Sequence, residues 1–197
     1  MIIYGCSSNA GKLREFALAA AGFELPKIVI EPLPKLAGLP APEENGATFE
    51  ENASAKALYY SEFTPELVLA DDSGLEVEAL NGAPGVYSAR YAGPEATDEE
   101  NNRLLLRNLE FTAQRRARFV CALSLARAGR ILNRGEGMVE GEILEAARGA
   151  GGFGYDPLFY YAPLGRTFAE LTLEEKFAVS HRGRALRMLL AQLGRAV

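Results

Sequence analysis

Cysteine and histidine are scarce in this chain of 197 residues, which has two cysteines and one histidine. Two cysteines do not make a disulfide framework, and both Cys6 and Cys121 lie in apolar, strand-like segments. We therefore expect buried thiols and no cysteine-based zinc site. The single histidine, His181, has no identified acidic partner, so the sequence offers no Ser-His-Asp triad.

Long apolar runs and an excess of positive charge are also missing. No apolar run approaches the roughly 20 residues that a membrane span needs. The first residues lack the charged and apolar regions of a signal peptide. The net charge of −5 excludes a broad basic surface for nonspecific nucleic-acid binding. We expect a cytoplasmic protein that binds neither nucleic acid nor membrane.

The remaining composition is ordinary for a globular protein, with 48% hydrophobic and 24% charged residues. Apolar periodicity and capping residues predict helices beginning near residues 12, 48, 97 and 181. Strands are predicted at 2–6, 27–32, 67–70 and 75–80, with a hairpin at 119–139 around Gly129-Arg130 that extends over 140–147. This mixture predicts one α/β domain over residues 1–197, with a long mixed sheet and two lobes around a cleft.

The most informative segment is Ala70-Asp71-Asp72-Ser73-Gly74-Leu75, which follows the apolar run Leu67-Val68-Leu69. Two adjacent carboxylates at the end of a buried strand are costly unless a cation neutralises them, which favours a divalent metal site with oxygen ligands. An Asx turn that closes the strand explains the same residues, because Asp, Ser and Gly are good turn formers. The segment alone leaves the two interpretations open.

Two further segments carry charge that suits phosphate. Ser7-Ser8-Asn9-Ala10-Gly11-Lys12 is a strand–turn–helix junction, where free backbone N–H groups and a lysine form a phosphate cradle or simply a capped helix start. Its spacing is not that of a Walker A loop. In the segment 43–56, Thr48 and Glu51 form a capping-box pattern, and Asn52 and Lys56 share one helix face. A solvated acidic helix start is the alternative there.

Two segments near the C-terminal end suit a planar base. In Gly151-Gly152-Phe153-Gly154-Tyr155-Asp156 the ring of Phe153 can stack on a base and Asp156 can accept hydrogen bonds, although a glycine-rich turn with an aromatic plug fits equally. His181 and Arg182 supply donors for a carbonyl oxygen or a phosphate, and Ser180 could cap the last helix. Acidic ligands, lysines and a stacking loop together suit phosphoryl chemistry on a nucleotide.

Taken in order, these segments closely resemble the inosine triphosphate pyrophosphatase family, the XTP/dITP diphosphatases. The matching stretches are SSNAGKLREF, the ENGATFEENASAKA region, ADDSGLEVEALNGAPGVYSARYAG, GGFGYDPLF and FAELTLEEKFAVSHRGRAL. The resemblance implies hydrolysis of ITP, dITP and XTP to the monophosphate and pyrophosphate, with Mg²⁺ as cofactor. It also implies an elongated mixed central β-sheet flanked by helices, a nucleotide-binding cleft and a homodimer.

The resemblance also assigns residues. It makes Asp72 the catalytic carboxylate and a metal ligand, with Glu43 as the second metal ligand. The residues that it implies for substrate binding are Ser7, Ser8, Asn9, Ala10, Gly11, Lys12, Lys56, Ser73, Phe153, Gly154, Tyr155, Asp156, Lys176, His181 and Arg182. One departure is Ser8, which stands where the family usually has glycine and would be modestly strained if that position needs a positive φ.

Other functions are weighed against this one. A nucleotide-binding sensor without enzymatic activity would lack acidic metal ligands, yet Glu43, Asp71 and Asp72 are all present. A diphosphatase of a related fold that acts on modified pyrimidine or methylated nucleotides is the alternative within enzymes. Selection of deaminated purines is expected to use the 6-oxo acceptor of the base, which His181 and Arg182 can satisfy as donors.

Overall fold

The computed structural model describes residues 1–7, 9–21 and 28–193, in which strands and helices alternate through the first half of the chain. The strands are β1 Ile2–Gly5, β2 Val29–Pro32, β3 Leu67–Val77, β4 Arg116–Arg127, β5 Arg130–Ile143, β6 Phe159–Tyr161 and β7 Arg166–Thr167. The helices are α1 Ala10–Ala21, α2 Phe49–Tyr60, α3 Asp98–Asn108, α4 Leu173–Val179 and α5 His181–Leu193.

The described strands form a seven-stranded mixed sheet in the order β2-β1-β3-β4-β5-β6-β7. Strand β1 pairs in parallel with β2 and with β3. At the other edge, β6 pairs antiparallel with β5 and with β7. The predicted α/β fold with a mixed β-sheet flanked by helices is therefore confirmed.

The chain folds into two compact units, each assembled from separate segments. The first unit comprises Met1–Asp72, Cys121–Gly137 and His181–Val197, and the second comprises Ser73–Val120 and Met138–Ser180. Strands β3, β4 and β5 each contribute residues to both units. The single domain over 1–197 and the cleft between two lobes stay predictions.

Each unit has its own hydrophobic core. In the first unit small residues of α2 and β3 pack with Cys6, Leu33, Tyr60 and Val68. The core of the second unit is aromatic, since Phe119 lies 4.5 Å from Phe159 and 5.9 Å from Phe168 between ring centroids. Both cysteines are free and buried, as predicted. The described residues include no helix that is long and apolar enough to cross a membrane.

The predicted N-cap at Thr48 is confirmed, but half of its predicted capping box is not formed, whereas α3 has a complete box that was not predicted. At α3, Thr97 and Glu100 form a complete capping box. At α2 the side chain of Thr48 accepts from the Glu51 N–H at 3.1 Å. The Glu51 carboxylate, however, accepts from the N–H of Ala47 at 2.7 Å, one residue before the cap. Both arrangements satisfy backbone donors that a helix start leaves without an intrahelical acceptor.

The acidic segment is the main correction to the predicted elements. Residues 71–74 do not form a turn, because β3 runs without interruption over Leu67–Val77. The predicted extended segment 75–80 ends early, since Glu78–Leu80 is a single 3-10 turn. Asp, Ser and Gly are poor strand formers, so tertiary contacts of the two carboxylates must override local preference here.

The remaining predicted elements agree with the structure only in part. The last helix has the predicted bounds, His181–Leu193. The hairpin turn falls on Ala128 and Gly129, whose φ values of 49° and 70° suit a two-residue connection. Strand β5 ends at Ile143, so the predicted extension through residue 147 is wrong. Strands β6 and β7 and helix α4 were not predicted; residues 22 and 27, which bound predicted elements, lie outside the described part.

Candidate active site

The two adjacent carboxylates of β3 point in opposite directions. Asp71 and Asp72 are 3% and 6% exposed, and both lie in the middle of an extended strand. Because successive side chains of a strand point to opposite faces of the sheet, the two carboxylates meet different helices. The contacts of Asp71 run to α1 and α5, and those of Asp72 to α2. The strand geometry thus gives each carboxylate its own set of partners.

Asp71 is part of a buried group of charges. Its Oδ2 lies 2.8 Å from Nζ of Lys12 and 4.0 Å from Nε of Arg182. Burial alone raises the pKa of the Asp71 carboxyl, but the neighbouring lysines and arginine outweigh it and lower that pKa to about 2. Asp71 is therefore a permanent negative charge that holds two cationic side chains in place.

Asp72 has a different environment. Asn52 donates from Nδ2 to Oδ2 of Asp72 at 2.9 Å, and Nζ of Lys56 lies 3.7 Å from Oδ1. The spacing of Asn52 and Lys56, one helical turn apart on α2, places both against the same carboxylate. Burial raises the pKa of Asp72, and the opposing charge of Lys56 only partly offsets this effect. Asp72 thus has two polar partners from α2 and a pKa that burial raises above its ordinary value.

The acidic loop before α2 supplies Glu44 rather than Glu43 to this group. Nζ of Lys56 donates to Oε1 of Glu44 at 3.2 Å. Burial tends to lower the pKa of Lys56, but the surrounding carboxylates prevail and raise it. Glu43 is exposed and accepts from Nδ2 of Asn45 at 2.7 Å. Among the described residues no group of three or more His, Cys, Asp or Glu is arranged to hold a metal ion.

Arg182, at the start of α5, is fixed by an acidic residue of α1. Nη1 of Arg182 donates to Oε2 of Glu15 at 3.1 Å, and the two residues are 5% and 1% exposed. His181, the residue before Arg182, is 1% exposed, as is Glu15. Glu15 was not predicted, because an acidic residue beside Phe16 in a helix gives no signal until α1 and α5 are packed together.

In the first loop the structure shows the capped helix start, whereas the phosphate cradle stays a prediction. Oδ1 of Asn9 accepts from the N–H groups of Gly11 and Lys12 at 2.9 and 3.1 Å, and so caps α1. Ser7 accepts from the N–H of Asn9 at 3.2 Å. The Lys12 side chain is 18% exposed while it contacts Asp71. Ser8, and with it the predicted strain, lies outside the described residues.

The second unit holds a compact group around Asp156. Nζ of Lys176 lies 2.6 Å from Oδ2 of Asp156, and both side chains are 3% exposed. The same oxygen accepts from the N–H of Phe153 at 2.8 Å. The Lys176 ammonium also lies 4.5 Å from the centroid of the Phe153 ring, within cation–π range. These contacts fix both the loop and the ring that was predicted to stack on a base.

Glycine and tyrosine residues complete this loop. At Gly152, where φ is 72°, a Cβ atom would collide with the Asp156 carboxylate, so only glycine fits. Tyr155 is buried in the core of the second unit, and its hydroxyl donates to the carbonyl oxygen of Ser88 at 2.8 Å. Tyr155 therefore anchors the loop through its side chain, whereas Phe153 remains partly exposed.

The structure thus assembles the predicted residues as two groups. In the first unit Lys12 and Arg182 lie against Asp71, and Lys56 lies against the neighbouring Asp72; in the second unit Phe153, Asp156 and Lys176 lie together. Ser73 follows Asp72 directly in β3. The contact of Glu44 with Lys56 was not predicted, because the adjacent Glu43 and Glu44 cannot be told apart in the sequence. Only the loop conformation decides which of the two glutamates lies beside Lys56.

Comparison with known proteins decides the family. The model of the Ham1 family matches residues 3–192. This chain belongs to the Ham1 family. Among curated members, the dITP/XTP pyrophosphatase of Acidobacterium capsulatum is 52% identical over 202 residues and covers 98% of both chains. A dITP/XTP pyrophosphatase of Thermus thermophilus is 52% identical over 188 residues, which cover 93% of this chain and 87% of that relative.

Solved Ham1 structures agree with the fold. The Staphylococcus aureus Ham1 protein superposes with a TM-score of 0.86 at 41% identity over 100% of both chains. The dITP/XTP pyrophosphatase of Mycobacterium abscessus gives a TM-score of 0.71 at 41% identity, over 95% of this chain and 96% of that one. The family resemblance inferred from the sequence motifs is therefore confirmed for nearly the whole chain.

Proposed function

We propose that this Ham1 protein hydrolyses deaminated purine nucleoside triphosphates, namely ITP, dITP and XTP, to the monophosphate and pyrophosphate. The observation that carries the proposal is the buried Asp72 carboxylate between Asn52 and Lys56, in a chain whose curated relatives are named dITP/XTP pyrophosphatases. Removal of such nucleotides from the nucleotide pool is the corresponding cellular role.

The triphosphate is assigned to the group in the first unit. Lys12 and Lys56 each place an ammonium group against one of the two adjacent carboxylates of β3. Because Asp71 already orients Lys12, the lysine need not be reorganised when a phosphate oxygen arrives. We infer that both lysines stabilise the negative charge that grows on the pyrophosphate leaving group. The loop from Ser7 to Gly11 directly precedes Lys12, and its role in holding the triphosphate rests on the family resemblance.

Asp72 is assigned the catalytic role. A carboxylate with a raised pKa is a better proton acceptor than an ordinary surface aspartate. We infer that Asp72 orients the attacking water toward the α-phosphorus and takes its proton. Asn52 holds the carboxylate in one orientation through its hydrogen bond to Oδ2. Asp71 keeps its charge and acts through Lys12 and Arg182 instead.

Mg²⁺ is the cofactor that fits the donors present. In phosphoryl-transfer sites this ion is commonly held by one or two carboxylates together with substrate phosphates, not by a cage of protein ligands. Asp72 and Glu43, the ligands that the resemblance implies, carry oxygen donors of the right kind, and the exposed Glu43 would have to leave its contact with Asn45 to join Asp72 at one ion. A bound Mg²⁺ would neutralise phosphate charge and lower the pKa of the attacking water.

Base recognition is assigned to Phe153, Asp156 and Lys176, together with His181 and Arg182. The Phe153 ring offers a stacking surface for any purine. The guanidinium of Arg182 can donate to the 6-oxo oxygen of hypoxanthine or xanthine, whereas adenine presents an amino group that would leave the donor unsatisfied. Guanine shares the 6-oxo group, so its rejection requires contacts at the 2-position of the base.

Pyrophosphate release from a panel of triphosphates tests the proposal. With Mg²⁺ present, we expect turnover of ITP, dITP and XTP at a kcat/KM at least about 100-fold above that of ATP, the discrimination expected from a mismatched polar pair. Addition of EDTA is expected to abolish turnover. Comparable turnover of ATP and GTP, or a preference for modified pyrimidine or methylated nucleotides, would refute the proposed substrate class.

Arg182 is expected to control the choice between oxo and amino purines. Replacement Arg182→Ala should reduce the ratio of kcat/KM for ITP and ATP by about 10-fold, because it removes a hydrogen bond from a charged donor. The ratio is measured in steady-state assays, with Arg184→Ala on the exposed side of the same helix as the control. An unchanged ratio in Arg182→Ala would remove this residue from base selection.

The assembly and location follow the resemblance. We propose a cytoplasmic homodimer, for which the family resemblance is the support. Light scattering of the purified protein measures the mass in solution and decides between one chain and two. A monomeric mass would overturn this part of the proposal without affecting the assignment of the chemistry.

A further inference from the structure

The start of helix α3 makes two contacts with the loop that carries Phe153. Asp98 and Asn102 are separated by four residues, so they lie on the same helix face, one turn apart. The complete capping box of Thr97 and Glu100 fixes this first turn. Both side chains reach a single residue, Gly154, which is 52 residues away from Asn102 along the chain.

Gly154 is bound on both of its backbone polar groups. Its N–H donates to Oδ2 of Asp98 at 2.6 Å, and its carbonyl oxygen accepts from Nδ2 of Asn102 at 2.9 Å. The φ of Gly154 is 61°, and a Cβ atom there would meet open space. The glycine is therefore needed for its left-handed backbone conformation, and that conformation turns both groups toward α3.

Phe153 is consequently held from two directions. Its own N–H is bound to Asp156, which is paired with Lys176. The next residue is bound to α3 through Asp98 and Asn102. With the backbone fixed on both sides, the Phe153 ring has little freedom to tilt away from the Lys176 ammonium, 4.5 Å from its centroid.

We infer that Asp98 and Asn102 are positioning residues for base recognition, because they clamp the Gly154 backbone and thereby fix the stacking face of Phe153. This inference rests on the proposed function for its kinetic consequence. Neither residue touches the substrate; each acts through the loop. Loss of the clamp leaves the Asp72 group intact, so it should weaken substrate binding while the chemical step continues.

Replacement Asp98→Ala tests the clamp. KM for ITP should rise about 5- to 10-fold, within the range expected for the net loss of one hydrogen bond, while kcat changes less than about 2-fold. Asp98→Asn should restore part of the affinity, because its amide oxygen can still accept from Gly154. Asn102→Ala should also raise KM for ITP. If Asp98→Ala does not fold, the KM of Asn102→Ala tests the clamp instead.

Two matched controls lie on the same helix. Glu99→Ala removes a first-turn carboxylate with the same favourable dipole effect, but Glu99 pairs with Arg103 and does not reach the loop. Asn108→Ala removes an amide whose partner is the Tyr91 hydroxyl. Both variants should have the KM of the unaltered chain for ITP. An equal rise in KM for Glu99→Ala and Asp98→Ala would mean that helix stability, not the clamp, is responsible, and would overturn the inference.

Amide hydrogen exchange measured by NMR gives a readout that does not depend on turnover. In Asp98→Ala the Gly154 N–H should exchange at least about 10-fold faster, because its acceptor is gone. The N–H of Leu109, bonded to the Leu105 carbonyl in the same helix, should keep its rate and so report an intact α3. Unchanged Gly154 exchange would refute the clamp.

The outcomes separate this inference from the proposed function. If the unaltered chain releases no pyrophosphate from ITP, the proposed function fails, and with it the claim of base recognition. If the unaltered chain is active but Asp98→Ala and Asn102→Ala keep its KM, only the role of the clamp is overturned. Faster exchange of the Gly154 N–H together with a raised KM in Asp98→Ala supports both the proposed function and the role of the clamp.

Discussion

Replacement Asp72→Asn is expected to lower kcat for ITP by about 10²- to 10⁴-fold, the usual contribution of a general base. The amide has nearly the same shape as the carboxylate and can still accept the hydrogen bond from Asn52. What it loses is the ability to take a proton and to bind a cation. The rate of pyrophosphate release at saturating ITP and Mg²⁺ measures the effect.

The fold should survive this change. Burial already raises the pKa of Asp72, so a neutral side chain is tolerated there more easily than at Asp71. A thermal unfolding curve close to that of the unaltered chain would show this. Glu76→Gln is the matched control, because Glu76 lies in the same strand but pairs with Arg118. Near-normal kcat in Asp72→Asn would refute the catalytic assignment.

Replacement Lys176→Met is expected to lower the free energy of unfolding by about 3–5 kcal/mol, because it leaves the Asp156 carboxylate buried without its ammonium partner. The two charged groups are 2.6 Å apart and both side chains are 3% exposed, so water cannot replace the lost cation. Methionine preserves most of the volume of the lysine side chain. Urea denaturation measures the change.

Two further variants make this result specific. In the double variant with Asp156→Asn the uncompensated charge is removed, so part of the lost stability should return, while an oxygen acceptor for the Phe153 N–H is kept. Arg166→Ala, which breaks a half-exposed pair with Glu175, should cost far less. A Lys176→Met variant within about 1 kcal/mol of the unaltered chain would contradict the cost expected for an unpaired buried charge.

Local sequence features predicted the helix boundaries well. The predicted helix start at Thr97 and the predicted bounds of the last helix, His181–Leu193, are those of the structure. Hydrogen bonds at a helix start join residues within one turn, so a short segment contains all the information needed. The hairpin around Gly129 was predictable for the same reason, since a two-residue turn with positive φ restricts the residue types.

Long-range contacts account for what the sequence did not predict. The choice of Glu44 over Glu43 beside Lys56, and the pairing of Glu15 with Arg182, each depend on how distant segments pack. The contacts of Asp98 and Asn102 with Gly154 are of the same kind. In each case the residue type is ordinary for its local segment, and only its partner gives it a role.

The acidic pair of β3 depends both on the local sequence and on the tertiary structure. The sequence by itself determined that Asp71 and Asp72 follow an apolar strand, belong to a family motif, and need cationic partners. Only the tertiary structure decided that the strand continues through them and that they face opposite sides of the sheet. Lysines from α1 and α2 neutralise the two charges, so the strand need not end in a turn. The alternation of side chains along a strand then separates a permanently charged Asp71 from a more basic Asp72, because each meets a different helix.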